Sequence, residues 1–163
     1  MKINGKSTSY VLRNGYAVLA RKWRKGDVVE MTLPMDVRRV VANPNVKDDL
    51  GKVALQRGPI VYCAEWADNH GKTSNILVPS SASFATAFRP DLLNGVTTLT
   101  ATVPTVQVDE AAGTIQTVPQ MLTAIPYYAW ANRGKGEMTV WFPAKVVDVD
   151  VVTRPAVQRE EKK

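Results

Sequence analysis

The stretch VALQRGPIVYCAE, residues 53–65, decides the fold. Its two apolar segments, Val53–Leu55 and Ile60–Ala64, lie on either side of Arg57-Gly58-Pro59. Proline cannot donate to a strand ladder, and glycine adopts conformations that other residues avoid, so this triplet predicts a bend or bulge between two strands. The stretch therefore indicates β-structure that bends or bulges at its middle.

The same alternation of apolar and polar residues recurs on both sides of this stretch. A period of two is typical of half-buried strands. It is clear in three segments, Asp27–Val37, Thr98–Val103 and Glu137–Phe142, and the short segment Thr114–Val118 is rich in β-branched residues. Ten prolines occur in the chain, and proline disrupts the interior of a helix. We therefore predict an all-β fold, either a β-sandwich or a β-barrel.

The N-terminal part has a pattern of its own. Alternation at Tyr16–Ala20, the turn residues Arg24-Lys25-Gly26-Asp27 and the alternating Val29–Met35 together predict a long hairpin over Gly15–Met35. An isolated hairpin is at best marginally stable in water. We therefore expect this hairpin to pack on a second β unit of the chain, on another copy of the chain, or on a part of the protein that is absent from this chain.

These patterns predict three regions. Residues 1–37 are expected to form a first, incomplete β unit that includes the hairpin, residues 38–155 a second β unit, and residues 156–163 a charged tail. The N-terminus has no apolar signal-peptide core, and no apolar run approaches the roughly 20 residues that span a bilayer. We therefore expect no targeting segment or membrane span, and the compartment stays undetermined.

Composition excludes several classes of function. The net charge is +6, with one cysteine, Cys63, and one histidine, His70. An intramolecular disulfide and a cysteine-rich zinc site are therefore impossible within this chain. The basic cluster Arg21–Lys25 could attract nucleic acid, but no nucleic-acid-binding motif accompanies it, so we favour a solvated turn. We expect no nucleic-acid partner.

Two groups of residues were candidates for catalysis. Glycosidases use two carboxylates that face each other across a cleft. Asp148 and Asp150 share one face of a strand that is expected to face solvent, and the other candidate pairs lie in turn-like contexts, namely Asp48/Asp49, Asp109/Glu110 and Glu65/Asp68. A reactive cysteine needs a base or a positive field, and Cys63 lies within an apolar strand while His70 lies in a polar loop. We expect an inert cysteine, and we predict neither catalytic nor metal-binding residues.

The aromatic side chains allow two interpretations. Exposed rings suit the apolar faces of sugars, whereas buried rings stabilise cores and domain interfaces. We favour packing, and we keep sugar binding as the alternative. Arg133 belongs to the same set of candidate carbohydrate or interdomain contacts, which comprises Trp23, Trp66, Tyr127, Tyr128, Trp130 and Arg133.

Three motifs resemble one known family. They are residues 53–65, the segment IPYYAWANRG at 125–134 with EMTVW at 137–141, and the N-terminal set Asn14-Gly15-Tyr16, Arg21–Asp27 and Leu33-Pro34-Met35. Together they closely resemble the C-terminal portion of glycoside hydrolase family 127, the β-L-arabinofuranosidase family. The resemblance covers the chain from about Ile3 to about Val147.

The resemblance implies a larger parent protein. Family members pair a helical (α/α)6 barrel with two β-sandwich domains. The resemblance therefore implies that residues 1–37 are a hairpin left over from the end of an adjoining β-sandwich domain, and that residues 38–155 form a C-terminal antiparallel β-sandwich domain of the jelly-roll type. A zinc-bound cysteine nucleophile lies in the barrel of the family. Cys63 does not match the family's catalytic motif, so the resemblance implies no cofactor in this chain and zinc only in the barrel. The catalytic barrel is then the expected intramolecular partner of this chain.

The resemblance suggests a function without catalysis. We expect an accessory β-sandwich region that supports the barrel of a glycosidase acting on arabinose-containing plant glycans. The alternatives are a carbohydrate-binding module and an enzyme that acts alone. A plant-type glycan and a second copy of the chain, paired through the N-terminal hairpin, are further candidate partners. The parent's compartment could be the bacterial periplasm, the exterior or the cytoplasm.

Overall fold

The computed structural model describes residues 1–109 and 112–149, and these residues form an all-β protein. Within those ranges all helices are 3-10 turns of three residues, namely Lys47–Asp49, Trp66–Asp68, Tyr127–Ala129 and Val146–Asp148. Every strand pairing is antiparallel. The predicted all-β, antiparallel class is confirmed. The predicted charged tail, residues 156–163, lies outside the described residues.

The chain divides into two compact units, which we call the N-terminal unit, Met1–Met35, and the C-terminal unit, which begins at Asp36. The N-terminal unit holds two small sheets. One has the order β2-β1-β5 and the other pairs β3 with β4. Their strands are β1 (Lys2–Ile3), β2 (Lys6–Ser7), β3 (Val11–Arg13), β4 (Tyr16–Val18) and β5 (Val29–Glu30).

The predicted hairpin over Gly15–Met35 is wrong in its pairing. Strand β4 pairs with β3 and not with β5, which instead pairs with β1. The physical reason is the dipeptide Asn14-Gly15, whose φ angles of 50° and 82° suit the tight two-residue turn that right-twisted strands prefer. The turn at Arg24–Asp27 does form, with the Asp27 amide donating to the Arg24 carbonyl at 3.1 Å.

The C-terminal unit contains one curled, half-barrel sheet of eight strands. Its order is β13-β7-β8-β11-β10-β9, with β6 also pairing β7 and β12 also pairing β8. The strands are β6 (Val37–Val40), β7 (Lys52–Arg57), β8 (Ile60–Glu65), β9 (Ala85–Arg89), β10 (Val96–Asp109), β11 (Thr114–Pro126), β12 (Met138–Thr139) and β13 (Trp141–Pro143).

The stretch at residues 53–65 forms a tight hairpin in this sheet. Arg57 pairs with Ile60, so Gly58 and Pro59 alone make the turn, and Gly58 has a φ of 55°. The sequence predicted only a bend or bulge at this point. Gln56 closes the turn, because its Nε2 donates to the Gly58 carbonyl at 2.8 Å.

The longest strands, β10 and β11, run 14 and 13 residues. The sequence indicated a short strand at Thr114–Val118, yet β11 continues through Pro119 to Pro126. Pro104 and Pro119 face each other in the ladder, so the strand continues past a residue that has no amide hydrogen to donate.

The core lies in the C-terminal unit and is built from inward-facing strand residues such as Leu55, Tyr62, Leu99 and Phe142, each fully buried. The buried segment Ile76–Val78 joins separate parts of the sheet. The Leu77 amide donates to Pro104 of β10 at 2.9 Å, and the Val78 amide donates to Pro143 of β13 at 2.8 Å. The segment therefore links strands from near the two ends of the sheet order.

Candidate functional site

Most of the candidate residues lie in two segments of the C-terminal unit. We call residues 65–74 and 127–137 together the loop cluster. The first segment follows β8, and the second follows β11 and leads into β12. Met138 of β12 pairs with Glu65, so the second segment returns beside the end of β8. The sheet therefore brings together residues that are more than 60 positions apart in sequence.

Arg133 connects the two segments of the loop cluster through charge. Its Nε donates to Oε2 of Glu65 at 2.9 Å, its Nη1 donates to Oδ1 of Asp68 at 2.8 Å, and its Nη2 donates to both carboxylates. The Glu65 side chain is 1% exposed and that of Arg133 is 20% exposed. Hydrogen bonds to Asp68 and Glu65 raise the pKa of the Arg133 guanidinium, so it stays charged at every physiological pH.

Asn69 and Glu137 add polar links to the same segments. Asn69 is fully buried, donates to the Glu65 and Thr123 carbonyls at 2.8 and 2.9 Å, and accepts from the Thr123 amide at 3.0 Å. The Thr73 amide donates to Glu137 Oε2 at 2.9 Å, and this bond lowers the pKa of the Glu137 carboxyl. No regular pattern surrounds Asn69 in the sequence. Its place in a polar loop is the one feature of the sequence that could have indicated that it links Glu65 and Thr123.

Trp66 packs against the glycines of the second segment. A Cβ at Gly136 would lie far inside van der Waals contact with the indole ring, and a Cβ at Gly134 would lie 3.9 Å from it. Trp66 is half-buried. The glycines of the loop Arg133–Gly136 therefore let its backbone lie close to the indole ring. Contact with an aromatic ring is not a requirement of phosphate-binding loops, which are also rich in glycine.

The other three aromatic candidates of the loop cluster present their rings to solvent. Tyr127 and Trp130 stack with ring centroids 5.8 Å apart and planes 13° apart, and they are 44% and 40% exposed. Tyr128 is 70% exposed. Two side-chain hydrogen bonds from Asn132, to the Ala129 and Trp130 carbonyls, hold the turn that carries these rings.

Trp23 belongs to the N-terminal unit and not to the loop cluster. It is 49% exposed, and the Arg21 guanidinium lies 5.2 Å from its ring centroid. The structure therefore groups five of the six candidates, Trp66, Tyr127, Tyr128, Trp130 and Arg133. Their contact with a carbohydrate or with another domain stays a prediction.

The candidate carboxylates Glu65 and Asp68 lie in an ion-pair network, and the candidate nucleophile Cys63 lies in the core. Arg133 lies between Glu65 and Asp68 and binds both, so these carboxylates do not face each other across an open cleft. Cys63 is fully buried, and desolvation followed by the nearby Glu65 charge raises the pKa of its thiol to about 12. A thiol with that pKa is not a nucleophile near neutral pH.

Side chains that could bind a metal ion do not cluster in the part of the chain that the structure describes. Among residues 1–109 and 112–149, no three or more His, Cys, Asp or Glu side chains lie close enough together to hold a metal ion. The zinc that the family resemblance implies does not fit the part of the chain that the structure describes. Nor do these residues include a helix long and apolar enough to cross a bilayer.

At the turn of residues 57–59, one side chain binds the backbone carbonyl of Gly58. The structure gives this task to Gln56, and the Nε of Arg57 is buried without a hydrogen-bond partner. Arg57 instead lies beside the hydroxyl of Tyr62, where its charge counteracts the rise in the tyrosine's pKa that burial causes.

Comparison with known proteins gives consistent results for both units. Residues 37–143 match the model of the glycoside hydrolase family 127 C-terminal domain, and residues 1–35 match the β-L-arabinofuranosidase family 127 middle domain. A non-reducing end β-L-arabinofuranosidase from Bifidobacterium longum is 37% identical over 154 residues, which are 86% of this chain and 23% of that protein.

Solved structures agree. A family 127 β-arabinofuranosidase superimposes with a TM-score of 0.86 and 44% identity over 91% of this chain and 23% of its own. The family 127 β-L-arabinofuranosidase of Geobacillus stearothermophilus gives a TM-score of 0.81 and 44% identity over 88% of this chain and 24% of its own. The chain thus spans about a quarter of the length of these relatives, and it belongs to glycoside hydrolase family 127.

Proposed function

We propose that this chain is a non-catalytic accessory β-region of a β-L-arabinofuranosidase-like glycoside hydrolase, and that it supports the catalytic barrel. The observation that carries this proposal is the loop cluster. Its charged groups bind one another, while Tyr127, Tyr128 and Trp130 expose ring surface. Exposed aromatic area on a rigid base suits packing against another domain.

The ion pairs within the loop cluster support a role in packing and not in catalysis. Arg133, Glu65 and Asp68 satisfy one another, so none of these charges is left available to a substrate. The relatives are about four times as long as this chain, which leaves room for a barrel elsewhere in a parent protein. In this proposal the parent acts on arabinose-containing plant glycans, and any zinc belongs to the barrel.

A chimera tests the proposal. This chain would replace the matching quarter of the Geobacillus enzyme, to which it is 44% identical. We expect the chimera to hydrolyse an aryl β-L-arabinofuranoside, and we expect Tyr127→Ser with Trp130→Ser to lower its turnover and its Tm. The control pair, Val108→Ser with Ile115→Ser, removes exposed apolar area from the β10–β11 hairpin instead.

Two results would contradict the proposal. If the aromatic pair and the control pair have equal effects, the loop cluster is not the contact with the barrel. If this chain alone turns over the same substrate, with or without zinc, and Cys63→Ala abolishes that turnover, the chain is itself an enzyme.

A carbohydrate-binding module is the second candidate, and the exposed stack of Tyr127 and Trp130 favours it. Such a module would stack a sugar ring on these two rings. Titration of the chain with arabinan fragments, followed by tryptophan fluorescence, tests it. A saturable change lost in Trp130→Ala would support the module, and no response at millimolar sugar would exclude it.

A further inference from the structure

The turn Arg21–Asp27 of the N-terminal unit concentrates positive charge. Seven Lys/Arg and two Asp/Glu occur in residues 1–35, and Arg21, Lys22, Arg24 and Lys25 follow one another within this turn. Residues 21–26 are all exposed. We call residues 21–27 the basic turn. A cluster of cations on one exposed turn creates a local positive potential that attracts polyanions.

The basic turn has a defined internal support. Asp27 points inward, where its carboxylate accepts from Asn4 Nδ2 at 2.8 Å and from the Arg24 amide at 3.0 Å, and it lies 3.4 Å from the Arg21 guanidinium. The first of these bonds, from Asn4, is the main reason why the pKa of Asp27 is lowered. The one acidic side chain of the turn therefore serves its folding and does not screen its outer surface.

The remaining cations of the basic turn have no partner within the described part of the chain. Lys22, Arg24 and Lys25 make no side-chain ion pair or hydrogen bond with residues 1–109 or 112–149. Their charges are therefore available to an external anion. Arg21 differs, because it is held by Asp27 and by the Trp23 ring.

Trp23 gives the same turn an aromatic surface. The Arg21 guanidinium lies over the ring, 5.2 Å from its centroid, and the side chain still keeps 49% of its surface exposed. The cation over the ring restrains the indole, and the exposed remainder can stack on a planar or apolar ligand face. Cations and an aromatic ring on one turn match a ligand that has both carboxylates and sugar rings.

We propose that the basic turn binds an acidic polysaccharide, with Lys22, Arg24 and Lys25 contacting its carboxylates and Trp23 stacking on a sugar ring. One observation favours an acidic sugar chain over nucleic acid: the chain belongs to a glycoside hydrolase family. This binding does not depend on the loop cluster or on support of a barrel.

The test uses the 163-residue chain and polygalacturonate, with neutral arabinan and single-stranded DNA as comparison ligands. We expect polygalacturonate to bind at low salt, arabinan not to bind at this turn, and about 0.5 M NaCl to weaken binding strongly, because solvated charges are screened. The triple variant Lys22→Ser, Arg24→Ser, Lys25→Ser should bind polygalacturonate about tenfold more weakly.

A matched triple variant controls for net charge. Arg38→Ser, Lys47→Ser and Lys145→Ser remove the same residue types from exposed positions of the C-terminal unit. We expect this variant to keep polygalacturonate binding within about twofold. Trp23→Ala should weaken binding by a smaller factor than the basic-turn triple variant, and circular dichroism should show that all three variants stay folded.

Three outcomes would overturn the proposal. Equal losses in the two triple variants would mean that only net charge attracts the polymer. If the Trp23→Ala variant binds polygalacturonate as well as the unchanged chain, the basic turn binds through charge alone and Trp23 does not stack on a sugar ring. Tighter binding of single-stranded DNA than of polygalacturonate, with the same dependence on the basic turn, would make the turn a nucleic-acid site.

Discussion

Arg133 determines the charge balance of the loop cluster. It contacts Glu65, which is buried, and Asp68, whose side chain is 18% exposed. A buried pair is weak evidence for net stability, since desolvation offsets the attraction, but removing one partner leaves an uncompensated charge inside the protein. Arg133 therefore matters for stability mainly because its removal would leave the Glu65 carboxylate buried without a countercharge.

We predict that Arg133→Ala lowers the free energy of unfolding by about 3–5 kcal/mol, measured by urea denaturation, because the Glu65 carboxylate stays buried without its cation. Arg89→Ala is the matched control, since Arg89 forms the same kind of pair with Asp91, but both side chains are at least 50% exposed. Its effect should be small.

A second variant separates charge from packing. Arg133→Met combined with Glu65→Gln removes both charges while keeping most of the volume, and it should unfold at a higher urea concentration than Arg133→Ala. Equal loss in Arg133→Ala and Arg89→Ala would show that the network contributes nothing specific to stability.

At the scale of elements, the path of the loop Arg133–Gly136 depends on one ring. Gly136 lies against Trp66, and its φ lies outside the left-handed region, so its backbone conformation alone does not require glycine. The absence of a Cβ matters because the loop backbone lies directly on the indole. This loop also carries Arg133, so its position links aromatic packing to the buried charges.

We predict that Gly136→Ala destabilises the C-terminal unit by about 1–3 kcal/mol in urea denaturation, because the new methyl group must displace the indole or the loop. A double-mutant cycle with Trp66→Ala identifies the cause. In the Trp66→Ala background the same glycine substitution should cost little. If its cost is the same in both backgrounds, the clash with Trp66 is not the reason.

Across the whole molecule, each unit contains a carboxylate with a lowered pKa. Hydrogen bonding from Asn4 lowers the pKa of Asp27 in the N-terminal unit, and hydrogen bonding from Thr73 lowers that of Glu137 in the C-terminal unit. A folded-state pKa below the unfolded value stabilises the fold above the unfolded pKa. This contribution is lost as pH falls through the folded pKa.

We predict that Glu137→Gln lowers the free energy of unfolding at pH 7 by about 0.5–1 kcal/mol, since solvent screens this exposed carboxylate. The difference from the unchanged protein should shrink as pH falls from the ordinary value of 4.5 through the lowered folded-state pKa, because only below that lower pKa is Glu137 uncharged in both the folded and the unfolded state. Thermal unfolding followed by circular dichroism from pH 3 to pH 7 would measure it. Asp48→Asn, which removes one exposed negative charge, serves as the control. If Glu137→Gln destabilises the protein as much at pH 3 as at pH 7, the Glu137 charge is not the source of the effect.

Much of the fold could be predicted because its signals are local. Period-two alternation identifies several of the strands, and Arg57-Gly58-Pro59 identifies an interruption between β7 and β8, although the tight reversal there follows only from the pairing of Arg57 with Ile60. The pairing of β4 with β3 depends on the tight turn at Asn14-Gly15. The alternation at Val29–Met35 is longer and favours a different partner for β4, so the predicted pairing was wrong. The length of β11 was missed because the effect of Pro119 depends on which strand lies opposite.

The sequence by itself determined the all-β class, the positions of most strands, the motifs of family 127 and the aromatic residues that define the candidate site. Only the tertiary structure decided that Arg133 binds Glu65 and Asp68, that Trp66 lies against Gly136, and that Trp23 belongs to another unit. The physical reason is the range of the interactions. Alternation and turns are set by neighbouring residues, whereas an ion pair between residues 65 and 133 exists only after β8, β11 and β12 have paired.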